Sequence, residues 1–319
     1  FWNEKKVFVT GNTGFKGSWI TLWLQSMGAI VQGYALSPRE RPNLFECLNA
    51  NLGIRTEFSD IRDYDTLRDS LQTFSPEIIF HMAAQPLVKE SYKNPLETYQ
   101  VNVMGTVNVL EAARECQSVR VIINVTTDKC YKNKEWLWGY REEDQLGGHD
   151  PYSNSKACSE LVTQSFCDAF FKNESTGIAT VRAGNVIGGG DWSQDRIIPD
   201  ALRAFRDKKV LKVRNPNAVR PWQHVLEPLS GYMTLAEKLY AEPEIYSGAW
   251  NFGPDDKGIK TVSWIVEHLA LLFEGSRWKC DEDETHPHES QYLKLDISKA
   301  SSLLDWSPKW QLEDTLTKI

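Results

Sequence analysis

The feature that most constrains the fold of this chain is a glycine-spaced loop near its start, VTGNTGFKG. Gly11, Gly14 and Gly17 follow an apolar run that predicts a strand, and they open a periodic run that predicts a helix. Glycines at this spacing allow a tight turn, close approach of a pyrophosphate and close packing of helix on strand. The N–H groups at the start of the helix then face the phosphates. The loop therefore predicts a dinucleotide-binding site, and its alternative is a plain tight turn.

The order of the predicted elements extends this interpretation. Strands and helices alternate up to residue 187, and the strands are apolar without internal alternation, as in GIATVRAGNVIG, the sixth. Such strands are typical of a parallel sheet covered by helices on both faces. A helix at 150–171 is predicted to begin with Asp150 as its cap and Pro151 at its first position. We expect an α/β chain with a dinucleotide-binding domain at 1–187, on which 223–250 packs back, and a smaller lobe at 188–319.

Charge and composition exclude several classes of protein. The formal net charge of −7 argues against a general nucleic-acid surface. No apolar run approaches the roughly 20 residues that span a bilayer, which argues against a membrane protein. The six cysteines are scattered and include no C-x-x-C, so we expect a reduced, cytoplasmic protein.

The end of the second predicted strand leaves the nicotinamide cofactor open between NAD and NADP. A dinucleotide fold often places an acid there to bind the ribose 2′-hydroxyl, but GYALSPRE has none before Glu40. Arg39 could accept the 2′-phosphate of NADP, or it could be a solvated surface arginine. The ends of the third and fourth strands are predicted to border the cofactor through Asp60, Ile61, Ala83, Ala84 and Gln85.

A tyrosine and a lysine form the pattern Y-x-x-x-K in the helix that follows the fifth strand. On a helix this spacing puts Tyr152 and Lys156 on one face. A lysine ammonium beside a phenol favours the phenolate, so we expect the pKa of Tyr152 to be lowered toward that of a working base. Thr127 ends the fifth strand, one element earlier.

Five segments together resemble the extended short-chain dehydrogenase/reductase family, over nearly all of the chain: TGNTGFKG, HMAAQ, TTDK, YSNSK and RAGNVIGGGD. The resemblance implies a Rossmann-type doubly wound parallel sheet, NAD as cofactor and a triad of Thr127, Tyr152 and Lys156. Tyr152 would take the proton of a sugar hydroxyl while a hydride passes to NAD. The resemblance also implies cofactor contacts from Phe15, Lys16 and Asn102. Helices at 94–113 and 152–171 are similar to the family's dimer helices, which implies a homodimer or a higher homo-oligomer.

Asp128 and Lys129, directly after Thr127, point to one branch of the family. In its epimerases these positions are typically small or neutral, and in its nucleotide-sugar 4,6-dehydratases they are usually Asp–Glu. Asp128 matches the acid that protonates the leaving 6-hydroxyl. Lys129 departs from the usual glutamate base and is similar to the dehydratases that act on CDP-glucose. The alternatives are a 4,6-dehydratase for another nucleotide, an epimerase, or a dinucleotide-sensing protein without activity, which would usually have lost the Tyr or the Lys.

A nucleotide-sugar substrate requires residues for its pyrophosphate and its sugar. By resemblance, Arg220 and Asn185 bind the pyrophosphate, with Arg196, and less strongly Lys212 or Arg214, as further candidates. Further predicted substrate residues are Gln85, Val88 and Ser91 at the hexose, His286, which by resemblance closes the nucleotide pocket, and Tyr292. His286 and His288 with Glu289 could ligate zinc, but a third spaced ligand is missing and the chemistry needs none, so no metal is predicted.

Overall fold

The chain is described by a computed structural model that covers residues 1–38, 41–171, 175–281 and 290–319. The strands are β1 (Lys6–Thr10), β2 (Ile30–Ala35), β3 (Arg55–Phe58), β4 (Ile78–His81), β5 (Val121–Val125), β6 (Gly177–Ala183), β7 (Asn185–Ile187), β8 (Val210–Val213), β9 (Val219–His224), β10 (Gly248–Phe252), β11 (Ile259–Thr261) and β12 (Arg277–Cys280). The helices are α1 (Phe15–Ser26), α2 (Leu44–Leu52), α3 (Tyr64–Phe74), α4 (Val88–Lys93), α5 (Pro95–Tyr99), α6 (Gly105–Arg114), α7 (Pro151–Phe166), α8 (Ile197–Arg206), α9 (Leu226–Ala241), α10 (Pro243–Tyr246), α11 (Val262–Leu271), α12 (Ser298–Leu304) and α13 (Leu312–Thr317). Short π-helical turns at Gln100–Met104 and Cys167–Phe171 and 3₁₀ turns at Asp128–Cys130 and Asp256–Gly258 complete the set.

A seven-stranded sheet in the order β10-β6-β5-β4-β1-β2-β3 forms the centre of the protein. Every neighbouring pair in it is parallel. The strand order reverses between β1 and β4, and in doubly wound sheets ligands bind at the carboxyl ends of the strands beside such a reversal. The predicted α/β fold with a Rossmann-type sheet is confirmed.

Helices cover both faces of this sheet. One face carries α1 and α9, whose Leu24 and Leu229 join the apolar core beneath β1, β4 and β5. The other carries α3 and α6, with Leu67 and Val109 in a second cluster. The central strands are buried on both faces, which explains their uninterrupted apolar sequence. Among the described residues no helix is both long and apolar enough to cross a bilayer.

The predicted sixth strand, 177–188, is two strands rather than one. β6 ends at Ala183, and β7 leaves the central sheet to pair with β9 in a small sheet of order β11-β9-β7. The break falls at Gly184, where a Cβ atom would lie 2.4 Å from the ring of Pro221. β7 and β9, with the β8–β12 pair and helices α8, α11 and α13, belong to a smaller lobe with its own core.

Candidate active site

A cleft of about 550 Å³ opens at the carboxyl ends of the central strands, between the sheet and the smaller lobe. Most of the residues predicted for cofactor, catalysis and substrate line it together. These are Gly11, Gly14, Phe15, Lys16, Gly17, Asp60, Ile61, Ala83, Ala84, Val88, Thr127, Asp128, Lys129, Tyr152, Lys156, Asn185, Arg196 and Arg220.

Lys212 and Arg214, the less strongly predicted candidates, also line the cleft, whereas Gln85, Ser91, Asn102 and Tyr292 are not among the residues that line it. The backbone N–H of Gln85 donates to Asn102 Oδ1 at 2.8 Å, and Asn102 Nδ2 donates back to the Gln85 carbonyl at 3.1 Å. Gln85 and Asn102 are therefore fixed to each other by a reciprocal pair of hydrogen bonds. Tyr292 pairs with Val219 through an isolated bridge. His286 lies outside the described residues.

The glycine loop leaves no room for a side chain at Gly11 or Gly17. Gly11 has a φ of 71°, and a Cβ atom there would lie 2.7 Å from the backbone nitrogen of Ala83. A Cβ atom on Gly17 would lie 2.1 Å from the Gly11 carbonyl oxygen. Helix α1 begins at Phe15, and no side chain caps it. Its first-turn N–H groups can therefore bind an anion.

No acidic residue lies on β2 or just after it, in residues 30–38, where an acid would bind the ribose of a dinucleotide. Leu36 is exposed there, and its carbonyl accepts a 2.9 Å hydrogen bond from Thr13 Oγ1. Asp60, after β3, is paired with Arg62 through a 2.6 Å contact between Oδ2 and Nη2. Arg39, on which the NADP alternative depends, lies outside the described residues.

The end of β5 brings the predicted acid, base and triad hydroxyl together. Thr127 Oγ1 donates to Asp128 Oδ1 at 3.1 Å and accepts from the backbone N–H of Lys129 at 3.4 Å. Lys156, on α7, donates from Nζ to the carbonyl of Val125 at 3.0 Å. Helix α7 is thereby fastened to the strand that carries the reactive side chains.

The pKa of Tyr152 departs from the prediction. Burial raises the pKa of its phenol to about 12, against a smaller lowering by hydrogen bonding with Thr127. Burial also lowers the pKa of Lys156 to about 8. The expected lowering of the Tyr152 pKa is therefore wrong for the protein alone, because burial of the phenol outweighs the hydrogen bond with Thr127 and the positive charge of Arg196.

Asp128 is suited to donate a proton. The residue is 1% exposed, and its Oδ2 has no hydrogen-bond partner within the described part of the chain. Burial raises the pKa of this carboxyl, and the nearby charges of Lys129 and Arg220 reduce that rise without reversing it. A buried carboxyl with a raised pKa can stay protonated until it is needed as a general acid.

Cationic side chains line the part of the cleft that faces the smaller lobe, and they are Arg196, Lys212, Arg214 and Arg220. Arg196 Nη1 contacts Asp191 Oδ2 at 3.0 Å. Arg220 is buried and donates from Nη2 to the Ser290 carbonyl at 2.5 Å. This end can bind an anionic group. Sequence reasoning assigned no role to several other cleft-lining residues, among them Lys89, Asp191, Asp195, Asp200 and Trp222.

Comparison with known proteins gives consistent matches over the full length. The family model described as GDP-mannose 4,6 dehydratase matches residues 8–319. The chain is 54% identical to a CDP-glucose 4,6-dehydratase of Salmonella typhimurium strain LT2, over 100% of this chain and 90% of that protein. Its fold resembles the dTDP-glucose 4,6-dehydratase of Bacillus anthracis in complex with NAD, with a TM-score of 0.81, 20% identity, and coverage of 98% and 94%. It also resembles a UDP-glucose 4-epimerase of Thermotoga maritima with UDP-glucose, with a TM-score of 0.82, 20% identity, and coverage of 98% and 96%.

Proposed function

Because the chain belongs to the GDP-mannose 4,6 dehydratase family, we propose that it is an NAD-dependent hydro-lyase, a CDP-glucose 4,6-dehydratase. The observation that carries the proposal is the arrangement of Asp128 and Lys129 in one cleft with Tyr152 and Lys156. The 54% identity to a dehydratase of CDP-glucose supports the choice of nucleotide. The reaction converts CDP-D-glucose to CDP-4-keto-6-deoxy-D-glucose and water.

Each reactive side chain has one role in this reaction. NAD, when bound, supplies the hydride acceptor for C4 and the donor that returns the same hydride to C6. Tyr152 takes the proton of the 4-hydroxyl, which leaves a 4-ketone that acidifies the C5–H bond. Lys129 removes the C5 proton, and returns a proton to C5 when the hydride is delivered to C6. Asp128 protonates the 6-hydroxyl, which leaves as water.

The glycine loop and the start of α1 would hold the pyrophosphate of NAD, and Tyr152 and Lys156 would border its nicotinamide ring. With a pKa of about 12, the Tyr152 phenol is protonated near neutral pH. A positive charge beside the phenol favours the phenolate. The nicotinamide ring, which is cationic in the oxidised cofactor, would when bound add such a charge to that of the Lys156 ammonium and so favour Tyr152 as a base.

The cationic end of the cleft suits the pyrophosphate of the sugar nucleotide. Arg220, Arg196 and Asn185 would bind it, and Val88 would face the hexose. In this proposal residues 1–187, with 223–250 packed on them, bind the cofactor, and residues 188–319 mainly bind the nucleotide sugar.

The function is tested by incubating the protein and NAD with CDP-, UDP-, GDP- and dTDP-glucose in parallel. Mass analysis should show loss of one water from the CDP-sugar at the highest rate. Faster water loss from another of the sugar nucleotides would change the nucleobase that we assign to the substrate. Isomerisation of UDP-glucose without water loss would instead support the epimerase alternative, whose fold is shared.

Replacing Lys129 by alanine should leave C4 oxidation measurable and nearly abolish exchange of the C5 hydrogen with solvent deuterium. The reason is that Lys129 lines the cleft beside Asp128, where the proton must leave. Exchange is measured by mass analysis of recovered substrate in D₂O. The exposed Lys132, in the same loop, provides the matched Lys→Ala control. Exchange at the native rate in the Lys129 variant would move the role of base, for instance to Lys16, whose pKa burial lowers to about 8.

NAD should bind weakly enough to be removed by dialysis. The reason is that residues 30–38 contain no acid, so the ribose lacks a hydrogen bond worth on the order of 1 kcal/mol. Titration of the dialysed protein measures the affinity, and Leu36→Asp, which places a carboxylate after β2, should increase it. Purified protein with a full complement of NAD that survives dialysis contradicts the expectation. Preference for NADP would implicate Arg39.

We also propose that the protein is a homodimer or a higher homo-oligomer. The segments 94–113 and 152–171, which resemble the family's dimer helices, carry exposed apolar side chains, namely Leu96, Met104, Leu161 and Phe170. Light scattering of the purified protein decides this, since a monomer at micromolar concentration would refute it.

A further inference from the structure

The carboxylate of Glu160 is buried close to Thr127, Asp128, Lys129, Tyr152 and Lys156 and has no part in the reaction described above. Glu160 is on α7, one turn after Lys156, and each of its two oxygens accepts two hydrogen bonds. Oε1 accepts from the hydroxyl of Thr126 and from Arg182 Nε at 2.9 Å. Oε2 accepts from the hydroxyl of Thr180 at 2.5 Å and from Arg182 Nη2 at 2.8 Å. The two charged side chains are each 3% exposed, so the pair is sealed from solvent.

Arg182 extends this hydrogen-bond network to the far side of the Asp128–Cys130 turn, which we call the reactive turn because it carries Asp128 and Lys129. Its Nη1 donates to the hydroxyl of Tyr131 and to the carbonyl of Glu142, both at 2.8 Å. The Tyr131 hydroxyl in turn donates to Asn251 Oδ1, on β10, at 2.7 Å. The guanidinium also lies 4.8 Å from the centroid of the Tyr131 ring.

The partners of Glu160 and Arg182 flank the reactive turn in the sequence. Thr126 directly precedes Thr127, and Tyr131 directly follows the Asp128–Cys130 turn. Glu160 therefore holds one flank of the reactive turn and Arg182 holds the other. Since Glu160 also lies on the helix of Tyr152 and Lys156, the pair connects the two halves of the catalytic set.

Stability alone does not account for a buried ion pair of this kind. The desolvation of two charges costs so much that a well-packed apolar replacement is often neutral or stabilising. Apolar clusters already cover both faces of the sheet here. The pair differs from apolar packing in its directed bonds, which fix the relative placement of three strands and a helix.

We propose that the Glu160–Arg182 ion pair is a positioning element that keeps the turn carrying Asp128 and Lys129 in register with Tyr152 and Lys156. The inference rests on the proposed function, because it assigns elimination to the turn and oxidation largely to the helix. Loss of the pair should therefore impair water loss more than C4 oxidation, since a misplacement of about 1 Å can cost roughly 100-fold in rate.

Glu160 has an electrostatic effect in addition to its bonds. Its charge raises the pKa of Lys156 against the lowering caused by burial. Removing that charge should lower the pKa of Lys156 further. The ammonium would then lose its proton at a lower pH, and the alkaline limb of the rate profile for C4 oxidation should shift toward neutral pH.

The test compares Glu160→Gln with Glu77→Gln. Glu77 is another paired glutamate, with 2.7 Å and 2.6 Å contacts to Lys5 and Tyr240, but it directly precedes β4 and so lies at the amino ends of the central strands, away from the cleft. Thr126→Val is the milder variant, because it keeps the ion pair and the volume and removes only the hydroxyl, which donates to Glu160 and, at 3.3 Å, to the Val181 carbonyl. Reduced cofactor and dehydrated product are followed together after mixing with CDP-glucose.

Reduced cofactor should accumulate relative to product, by roughly 100-fold in Glu160→Gln and roughly tenfold in Thr126→Val, and not in Glu77→Gln. Hydrogen–deuterium exchange at 121–131, measured without substrate, should become faster in the first two variants only. If Glu160→Gln does not fold, Thr126→Val decides. An unchanged ratio and unchanged exchange in Thr126→Val would overturn the inference. If the native protein does not dehydrate CDP-glucose, the proposed function fails, and the exchange measurement still judges the placement of the turn.

Discussion

Replacing Tyr152 by phenylalanine should abolish hydride transfer while cofactor and substrate still bind. The ring is buried against the core of the site, so phenylalanine keeps the packing and removes only the hydroxyl that takes the sugar proton. A positioned general base contributes roughly 10²- to 10⁴-fold, and no other phenol is assigned to this proton. We therefore expect the burst of reduced cofactor on mixing with CDP-glucose to fall by at least roughly 100-fold.

Tyr232→Phe is the matched control for this variant. Tyr232 is fully buried on α9, and its hydroxyl has no hydrogen-bond partner among the residues that the structure describes. Removing an unpaired buried hydroxyl should not lower stability, and it leaves the proton path intact. Binding of NAD and substrate is measured by titration for both variants. Oxidation by Tyr152→Phe at the native rate would show that the triad is wrongly assigned.

Replacing Asp128 by asparagine should block water loss far more than hydride transfer. The amide keeps the shape of the side chain but has no acidic proton to give the leaving hydroxyl. The variant should accumulate reduced cofactor together with a 4-ketone that has not lost water. Product formation should fall roughly 10²- to 10⁴-fold, as expected for a general acid. Absorbance of the reduced cofactor and the mass of the sugar nucleotide report the two steps separately.

The raised pKa of Asp128 also predicts how the native protein depends on pH. A general acid works in its protonated form, so elimination should persist to higher pH than an ordinary aspartate would allow, and decline as pH rises through the shifted pKa. Asp191→Asn is the control, because Asp191 pairs with Arg196 at the cationic end of the cleft. That variant should change the KM for substrate without accumulation of reduced cofactor. Normal product formation by Asp128→Asn would remove Asp128 from the mechanism.

Local signals in the sequence predicted much of the fold and most of the cleft. The glycine loop and the strand ends are local patterns, and the structure brings their residues together. The start of α7 was also predicted correctly, since Asp150 accepts a 2.9 Å hydrogen bond from the backbone N–H of Ser153, with Pro151 at the first position. Each of these features depends on residues within a few positions of one another.

Features that depend on distant residues could not be predicted in the same way. The split falls at Gly184, whose backbone is closely approached by Pro221, a residue of another element. The pKa of Tyr152 depends on how completely the phenol is buried, and sequence spacing reports only the neighbouring lysine. Glu160 and Arg182 lie in different elements, and neither stands in a pattern that announces an ion pair.

The pairing of β10 with β6 means that the two lobes are not interchangeable modules. The outermost strand next to β6, Gly248–Phe252, comes from the later part of the chain, after the first strands of the smaller lobe. A chain that ended at residue 187 would present β6 as an open edge, and unpaired edges invite association with other chains. Exchange of the smaller lobe between relatives would therefore have to carry β10 and α9 along with it, or leave them behind as a unit.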